Sequence, residues 1–189
     1  SWTAFHAGTN RLADIAYWRA VKKAGMDRIV VNDHESGWRD GNESFTFRTK
    51  TAPKKGGDKG QYDYARVMID ELGYLYGPYN NFTDYAPVNG FWSLDNAARR
   101  SDGNLIHAWN RCYSPKAGWA VGMCALLAPE IQRKFNFNTA YCDVHTCVTP
   151  WNRVDYDARS PDAGKFSAVL GAYAQIMLLQ KKAWKGPVY

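Results

Sequence analysis

Thr139-Ala140-Tyr141-Cys142-Asp143-Val144-His145-Thr146-Cys147-Val148-Thr149-Pro150-Trp151 is the stretch whose reading decides the fold. It opens as a short apolar run rich in aromatic and β-branched residues, the composition of a buried strand. Asp143 stands where the apolar run ends. His145 follows two residues later, on the same face if the strand continues. Thr149 and Pro150 then lead into a polar and aromatic loop, because proline ends ladder pairing and pushes the preceding residue towards extended geometry. A carboxylate at the C-terminal end of a buried strand, followed by such a loop, is where barrel enzymes keep their chemistry. A single strand-end Asp more often caps a loop. The pattern gains weight because it recurs.

Residues 28–32 form a second apolar strand that runs into Asp33, His34, Glu35 and Trp38. Residues 74–79 form a third, which runs into Asn80, Asn81 and Asp84. Residues 186–189 read as the start of another. Helical patterns separate them. One spans residues 10–24 and is stopped by Gly25. A second spans 61–72, with Tyr64, Val67, Met68 and Leu72 towards the core. A third, over 117–135, carries an apolar body around Trp119, Val121, Met123, Leu126, Leu127 and Ile131, and Pro129 is expected to kink or divide it. The last starts at Pro161 and runs to about Trp184, with a broad apolar face from Phe166 to Leu178. Residues 43–60 read as a long Lys- and Gly-rich loop with a short hairpin. Residues 94–100 read as a helical turn carrying Arg99 and Arg100, and 105–113 as an excursion strand over the active face.

Alternating helices and strands argue a parallel sheet with crossover helices. Either an open doubly wound sheet or part of a (β/α)8 barrel fits. No Gly-rich phosphate fingerprint follows any strand. Strand ends that share acidic, amide and aromatic chemistry favour the barrel, whose functional residues gather from several strand ends. A full barrel takes about 250 residues, so 189 residues supply roughly half of one. The expected fold is therefore α/β, a partial (β/α)8 (TIM) barrel, with residues 1–189 forming one partial-barrel domain cut from a longer chain.

The net charge of +6 comes from scattered basic residues. Lys50, Lys54, Lys55 and Lys59 cluster in a loop and read as a solvated face, so nucleic acid is not an expected partner. No apolar run of about 18 residues provides a membrane span, and no signal peptide is visible. Cys112, Cys124, Cys142 and Cys147 form no CxxC pair, and Cys142 and Cys147 are open to being bridged or free. Aromatic residues make up 15% of the chain, enough to serve a core, an interface or a sugar-stacking surface.

Three stretches together resemble a known family. They are Tyr141-Cys142-Asp143-Val144-His145-Thr146, the loop Pro150-Trp151-Asn152-Arg153-Val154-Asp155-Tyr156-Asp157, and the helix leading to Gly186-Pro187-Val188-Tyr189. They are similar to the catalytic (β/α)8 core of endo-α-N-acetylgalactosaminidase-like bacterial glycoside hydrolases and their uncharacterised relatives. The resemblance implies retaining hydrolysis of a glycan with Asp143 as nucleophile. It implies an acid/base carboxylate at the end of the next strand, beyond Tyr189. It also implies an extracellular or cell-surface setting and no cofactor or metal. The glycan substrate and the remainder of a longer chain are the implied partners.

Around Asp143, the strand ends offer Asp33, His34 and Glu35 for substrate hydroxyls or an in-chain acid, and Asn80, Asn81 and Asp84 for further hydroxyls. Trp38, Trp109 and Trp151 are candidates for stacking on a sugar face. His145 is placed to bond a hydroxyl or steady the nucleophile, and Arg153 to bind substrate. Each has a plainer reading: Trp109 and Trp119 as core, Asn80 and Asn81 as a turn, His34 and His145 as structural histidines. Asp155 and Asp157 then brace their loop with Arg153 as ion-pair partner. Two competing functions remain. One is a metal-dependent barrel enzyme using Asp33, His34, Glu35, Asp143 and His145. The other is a non-catalytic carbohydrate-binding or scaffold protein on a barrel-derived fold.

Overall fold

A computed structural model describes residues 2–6, 10–34 and 47–189. Glu35 and Trp38, and the first part of the 43–60 loop, lie outside the described residues. The elements run β1 (Trp2–His6), α1 (Arg11–Lys23), β2 (Ile29–Asp33), α2 (Gly57–Arg66), β3 (Leu75–Asn80), α3 (Ala117–Phe135), β4 (Tyr141–Cys142) and α4 (Phe166–Trp184). A wider π-type turn, Val67–Glu71, continues α2.

All three strand pairings are parallel, and the strands lie in the order β1-β2-β3-β4. Each crossover helix therefore moves the chain one strand in the same direction. A doubly wound sheet would reverse its order at a switch point. The arrangement is that of a partial (β/α) barrel. A further parallel bridge, Ala140 to Val188, continues the sheet past β4, where residues 186–189 were expected to begin a strand. Gly77 lets β4 approach β3: a Cβ there would fall 1.7 Å from the Thr139 carbonyl oxygen.

Local signals set the helix ends. The Asn10 side chain accepts from Leu12 N at 3.0 Å and Ala13 N at 3.3 Å, a cap worth about 1 kcal/mol. Gly25 leaves the helix at φ 90°. Helix α2 begins at Gly57, four residues before the expected start, so the long loop is shorter than the sequence suggests. Helix α3 runs unbroken across Pro129. Helix α4 starts at Phe166 rather than Pro161, because residues 161–164 form turns instead. Strand β1 has no counterpart in the sequence reading.

The core is largely aromatic. Tyr64, Tyr74, Tyr76, Tyr85, Phe47, Phe135, Phe137 and Trp184 are almost fully buried, together with Met68 and Ile176. Tyr85 and Phe47 each pack against Trp119, at ring separations of 4.7 and 4.9 Å, so Trp119 is a core-side residue. The buried stripes of α3 and α4 are narrower than their apolar composition: Leu126, Leu170 and Leu178 are exposed. No disulfide joins any of the four cysteines. No helix among the described residues is long and apolar enough to cross a membrane.

Residues 85–115 form an antiparallel excursion in which the expected helical turn is present but covers only Leu94–Asn96. Isolated bridges join Tyr85 to Tyr113, Ala97 to Pro115, Arg99 to Leu105 and His107 to Tyr113. Arg99 and Arg100 therefore lie on an extended segment, and Trp109 sits at an exposed tip beside Asn110, which has φ 41°.

Candidate active site

Alternation along the strands decides which strand-end residues meet. On β3, Tyr76 and Asn80 point outwards, to Tyr64 of α2 and Gln180 of α4. Tyr79 therefore points inwards. Register places Tyr79 beside Tyr141, and their rings lie 5.6 Å apart on the inner face. On β4, Cys142 points outwards to Gln180, so Tyr141 and Asp143 share the inner face. Asn32 joins them there, accepting a 2.8 Å hydrogen bond from Tyr189.

Asp143 is half-buried, and both its carboxylate oxygens are held. Tyr79 Oη donates to Oδ2 at 2.6 Å and Tyr141 Oη donates to Oδ1 at 2.9 Å. The Asp143 amide donates to the Asn80 carbonyl at 2.8 Å. Burial and the neighbouring carboxylate push the Tyr141 hydroxyl up to about 12, so it stays a donor at neutral pH. Asp143 lies in a cleft of about 330 Å³ whose lining includes His34, Tyr79, Asp84, Trp109 and Arg153. The His34 ring lies tilted against Tyr79, with centroids 4.7 Å apart. Asp84 accepts from Asn81 Nδ2 at 2.8 Å.

Sequence position alone misplaced several candidates. Asp33 points outwards and is fully buried between helices, where it accepts from Arg11 at 2.7 Å and from Tyr76 Oη. Asn80 likewise faces α4. Asn81 is buried and makes a turn, accepting from Thr83 N at 3.0 Å and Thr83 Oγ1 at 2.8 Å. Strand β4 does not continue to His145, because Val144 turns the chain at φ 75°. His145 is buried against Tyr173. Its Nδ1 lies 2.7 Å from the Asp143 carbonyl oxygen and so carries the proton. Burial lowers its pKa to about 4. It is a neutral structural histidine that shapes the Asp143 turn. Trp151 is exposed in a neighbouring groove and packs on Phe166.

Trp109, also read as core, is 67% exposed at the mouth of the cleft. Asp155 and Asp157 do brace their loop, but not through Arg153. Asp157 takes Lys116 and Arg159, each within 2.8 Å, and those cations hold its carboxyl far below the usual range, Arg159 most strongly. Asp155 accepts from Arg99 N and Ser160 Oγ. The metal reading loses its geometry: Asp33 and Asp143 lie on opposite faces of the sheet, and no group of three or more metal-ligating side chains occurs among the described residues. The sequence reading missed Tyr79 and Tyr141. Two-residue periodicity back from Asp143 would have found Tyr141.

No protein-family model matches the sequence, and no curated protein matches it. Solved structures do match in fold. The alpha-N-acetylgalactosaminidase NagBb from Bifidobacterium bifidum, as a quadruple mutant, superposes with a TM-score of 0.83 at 17% identity. The match covers 97% of this chain and 34% of that one. The GalNAc complex of NagBb gives 0.79 at 18% identity, over 94% and 32% of the two chains. A GH36 alpha-galactosidase, AgaA from Geobacillus stearothermophilus, in complex with stachyose gives 0.69 at 10% identity, over 99% and 27%. The chain thus shares the fold of these structures and spans about a third of the length of NagBb.

Proposed function

We propose that this chain is part of a retaining glycoside hydrolase in which Asp143 is the nucleophile. The observation that carries the reading is the carboxylate itself. It stands at the C-terminal end of a parallel strand, opens on a cleft, and has each oxygen held by a neutral tyrosine hydroxyl. Neutral donors orient a carboxylate without cancelling its charge, which suits attack on an anomeric carbon. In the first step the Asp143 oxygen bonds to that carbon while the glycosidic oxygen leaves with a proton from an acid. Water then breaks the glycosyl ester and returns the carboxylate. Such a mechanism sets its two carboxyl groups about 5–5.5 Å apart.

Asp84 is assigned to hydroxyl binding because Asn81 and Thr83 pin it. His34 and Trp109 line the same cleft and are assigned to a hydroxyl and a sugar face. The acid/base carboxylate is sought in the complete polypeptide, on the strand that Val188 starts. Galactose- and N-acetylgalactosamine-type α-glycosides are the first substrates to try, given the proteins that share the fold. The setting expected for such an enzyme is extracellular or cell-surface, and its substrate a glycan.

The test is covalent trapping. The complete protein is incubated with activated fluorinated α-galactoside and α-N-acetylgalactosaminide, then digested and mapped by mass spectrometry. A glycosyl adduct on Asp143 is expected. An adduct on another carboxylate, or turnover that survives Asp143→Asn, overturns the assignment.

A further inference from the structure

A second groove of about 530 Å³ adjoins the Asp143 cleft and shares Val148 and Arg153 with it. Its walls carry Arg100, His107, Trp151, Asn152 and Tyr156, and no Asp or Glu lines it. This is unusual in its own loop, where the other cations are paired. Lys116 and Arg159 are held by Asp157, and Arg159 also reaches Asp95. Among the described residues no carboxylate lies within ion-pair distance of either Arg100 or Arg153. Asp102, the acid nearest Arg100 in sequence, feels its charge but takes its hydrogen bonds from the amide and side chain of Asn104.

Arg153 is the telling residue. It is 9% exposed. Its one side-chain hydrogen bond goes from Nη1 to the His107 carbonyl at 2.9 Å, and its Nε has no partner. A nearly buried guanidinium without a counter-charge is costly, and native proteins seldom leave one uncompensated. The guanidinium fork matches a carboxylate or sulfate oxygen pair. Trp151 and Tyr156 are 62% and 51% exposed, which leaves aromatic faces open beside the two arginines.

We propose that this groove is a subsite for an anionic sugar, one bearing a carboxylate or a sulfate ester, next to the residue cleaved at Asp143. Arg153 sits at the junction and binds the anionic group. Arg100 adds a second positive charge at the outer wall. Trp151 and Tyr156 take the sugar face. The assignment rests on the glycan-hydrolase reading of the neighbouring cleft, yet it is read by binding rather than by turnover.

The experiment uses the complete protein carrying Asp143→Asn, titrated calorimetrically with matched oligosaccharides. Each set holds a neutral member, a sulfated member and a uronic-acid member. An anionic member is expected to bind about tenfold or more tightly than its neutral counterpart, the range of a charge-assisted hydrogen bond. That advantage shrinks as salt rises. Whichever anionic member binds better identifies the charged group.

Arg153→Gln abolishes the advantage, while Arg153→Lys, which keeps the charge and loses the fork, restores part of it. Arg100→Gln lies on the exposed wall and cannot be blamed on misfolding; it reduces the advantage severalfold. Equal binding of neutral and anionic members overturns the proposal. So does binding of single-stranded DNA in preference to every oligosaccharide, or anion preference that survives both substitutions. Anion-selective binding by a protein that never hydrolyses any of these sugars keeps the subsite and overturns the hydrolase reading instead.

Discussion

Asp33 closes β2 and Asp143 follows the last residue of β4, yet the two carboxylates end on opposite sides of one sheet. Asp33 is sealed among the helices by Arg11 and Tyr76, with Gln61 bonded to that same tyrosine at 2.6 Å. Its counter-charge is a full cation. Asp143 opens on the cleft and is held by two neutral hydroxyls. The first arrangement neutralises a charge so that it can be buried. The second orients a charge and leaves it available. Residue type and strand-end position are shared; the face of the strand and the partner's charge divide structure from chemistry.

Exchanging the readouts breaks or keeps that division. In the complete protein, Asp143→Asn is expected to lower kcat by ~10⁴-fold, the scale seen when a residue of a concerted catalytic set is removed. Its stability should stay within about 0.5 kcal/mol of the parent. Asp33→Asn is expected to do the reverse. It leaves the buried Arg11 with only its longer, 3.6 Å pairing to Asp14, at a cost of about 3 kcal/mol, the low end for breaking a buried ion pair, seen as a lower denaturant midpoint at unchanged m-value. If Asp33→Asn melts like the parent while Asp143→Asn unfolds, the roles assigned to the two faces are inverted.

His145 sharpens the comparison because it sits directly behind the Asp143 turn. Burial lowers its pKa from the usual 6.5 to about 4. Between those values the unfolded chain binds the proton that the folded chain refuses, so stability rises with pH across that window and is lost as pH falls through it. The full contribution is present above about pH 6.5. Chemical denaturation at pH 7 and pH 5 should differ by about 2 kcal/mol from this group alone. His145→Gln should remove that part of the slope. A slope unchanged by the substitution would mean that His145 titrates normally and is not locked beneath the site.

Much of the fold could be read from residues. Gly25 and the helix at 117–135 stand in the structure where their local signals put them. The misplacements share one cause. Parallel strands are covered on both faces, so their sequences run apolar without the alternation that tells inside from outside. Residues 28–32 offered no such phase, and Asp33 fell on the helix side. The His145 reading failed because a β-branched residue, Val144, adopts the left-handed conformation there. Nothing in Asp143-Val144-His145 announces that turn. Strand β1, Trp2-Thr3-Ala4-Phe5-His6, has a single β-branched residue and nothing like the Ile29-Val30-Val31 run of β2. Trp109 looked like core because its exposure depends on the antiparallel excursion, a long-range pairing invisible in the local pattern.

The two tyrosines provide the finest test of the difference between neutralising and orienting. Tyr79 Oη donates to one oxygen of Asp143 and lies 3.4 Å from Asn81 Nδ2, so it links Asp143 to the turn that carries Asp84. Tyr141 holds the other oxygen from within the same strand. If they only filled space, Tyr79→Phe and Tyr141→Phe would be silent, since the ring packing of 5.6 Å between them survives the loss of a hydroxyl. If they orient the nucleophile, each should lower kcat by about tenfold, the value of one hydrogen bond to a charged group, with KM little changed. The double substitution should lose more than either alone but less than Asp143→Asn, because the carboxylate remains and only its aim is relaxed. A KM effect without a kcat effect would move both tyrosines from positioning the nucleophile to binding the sugar.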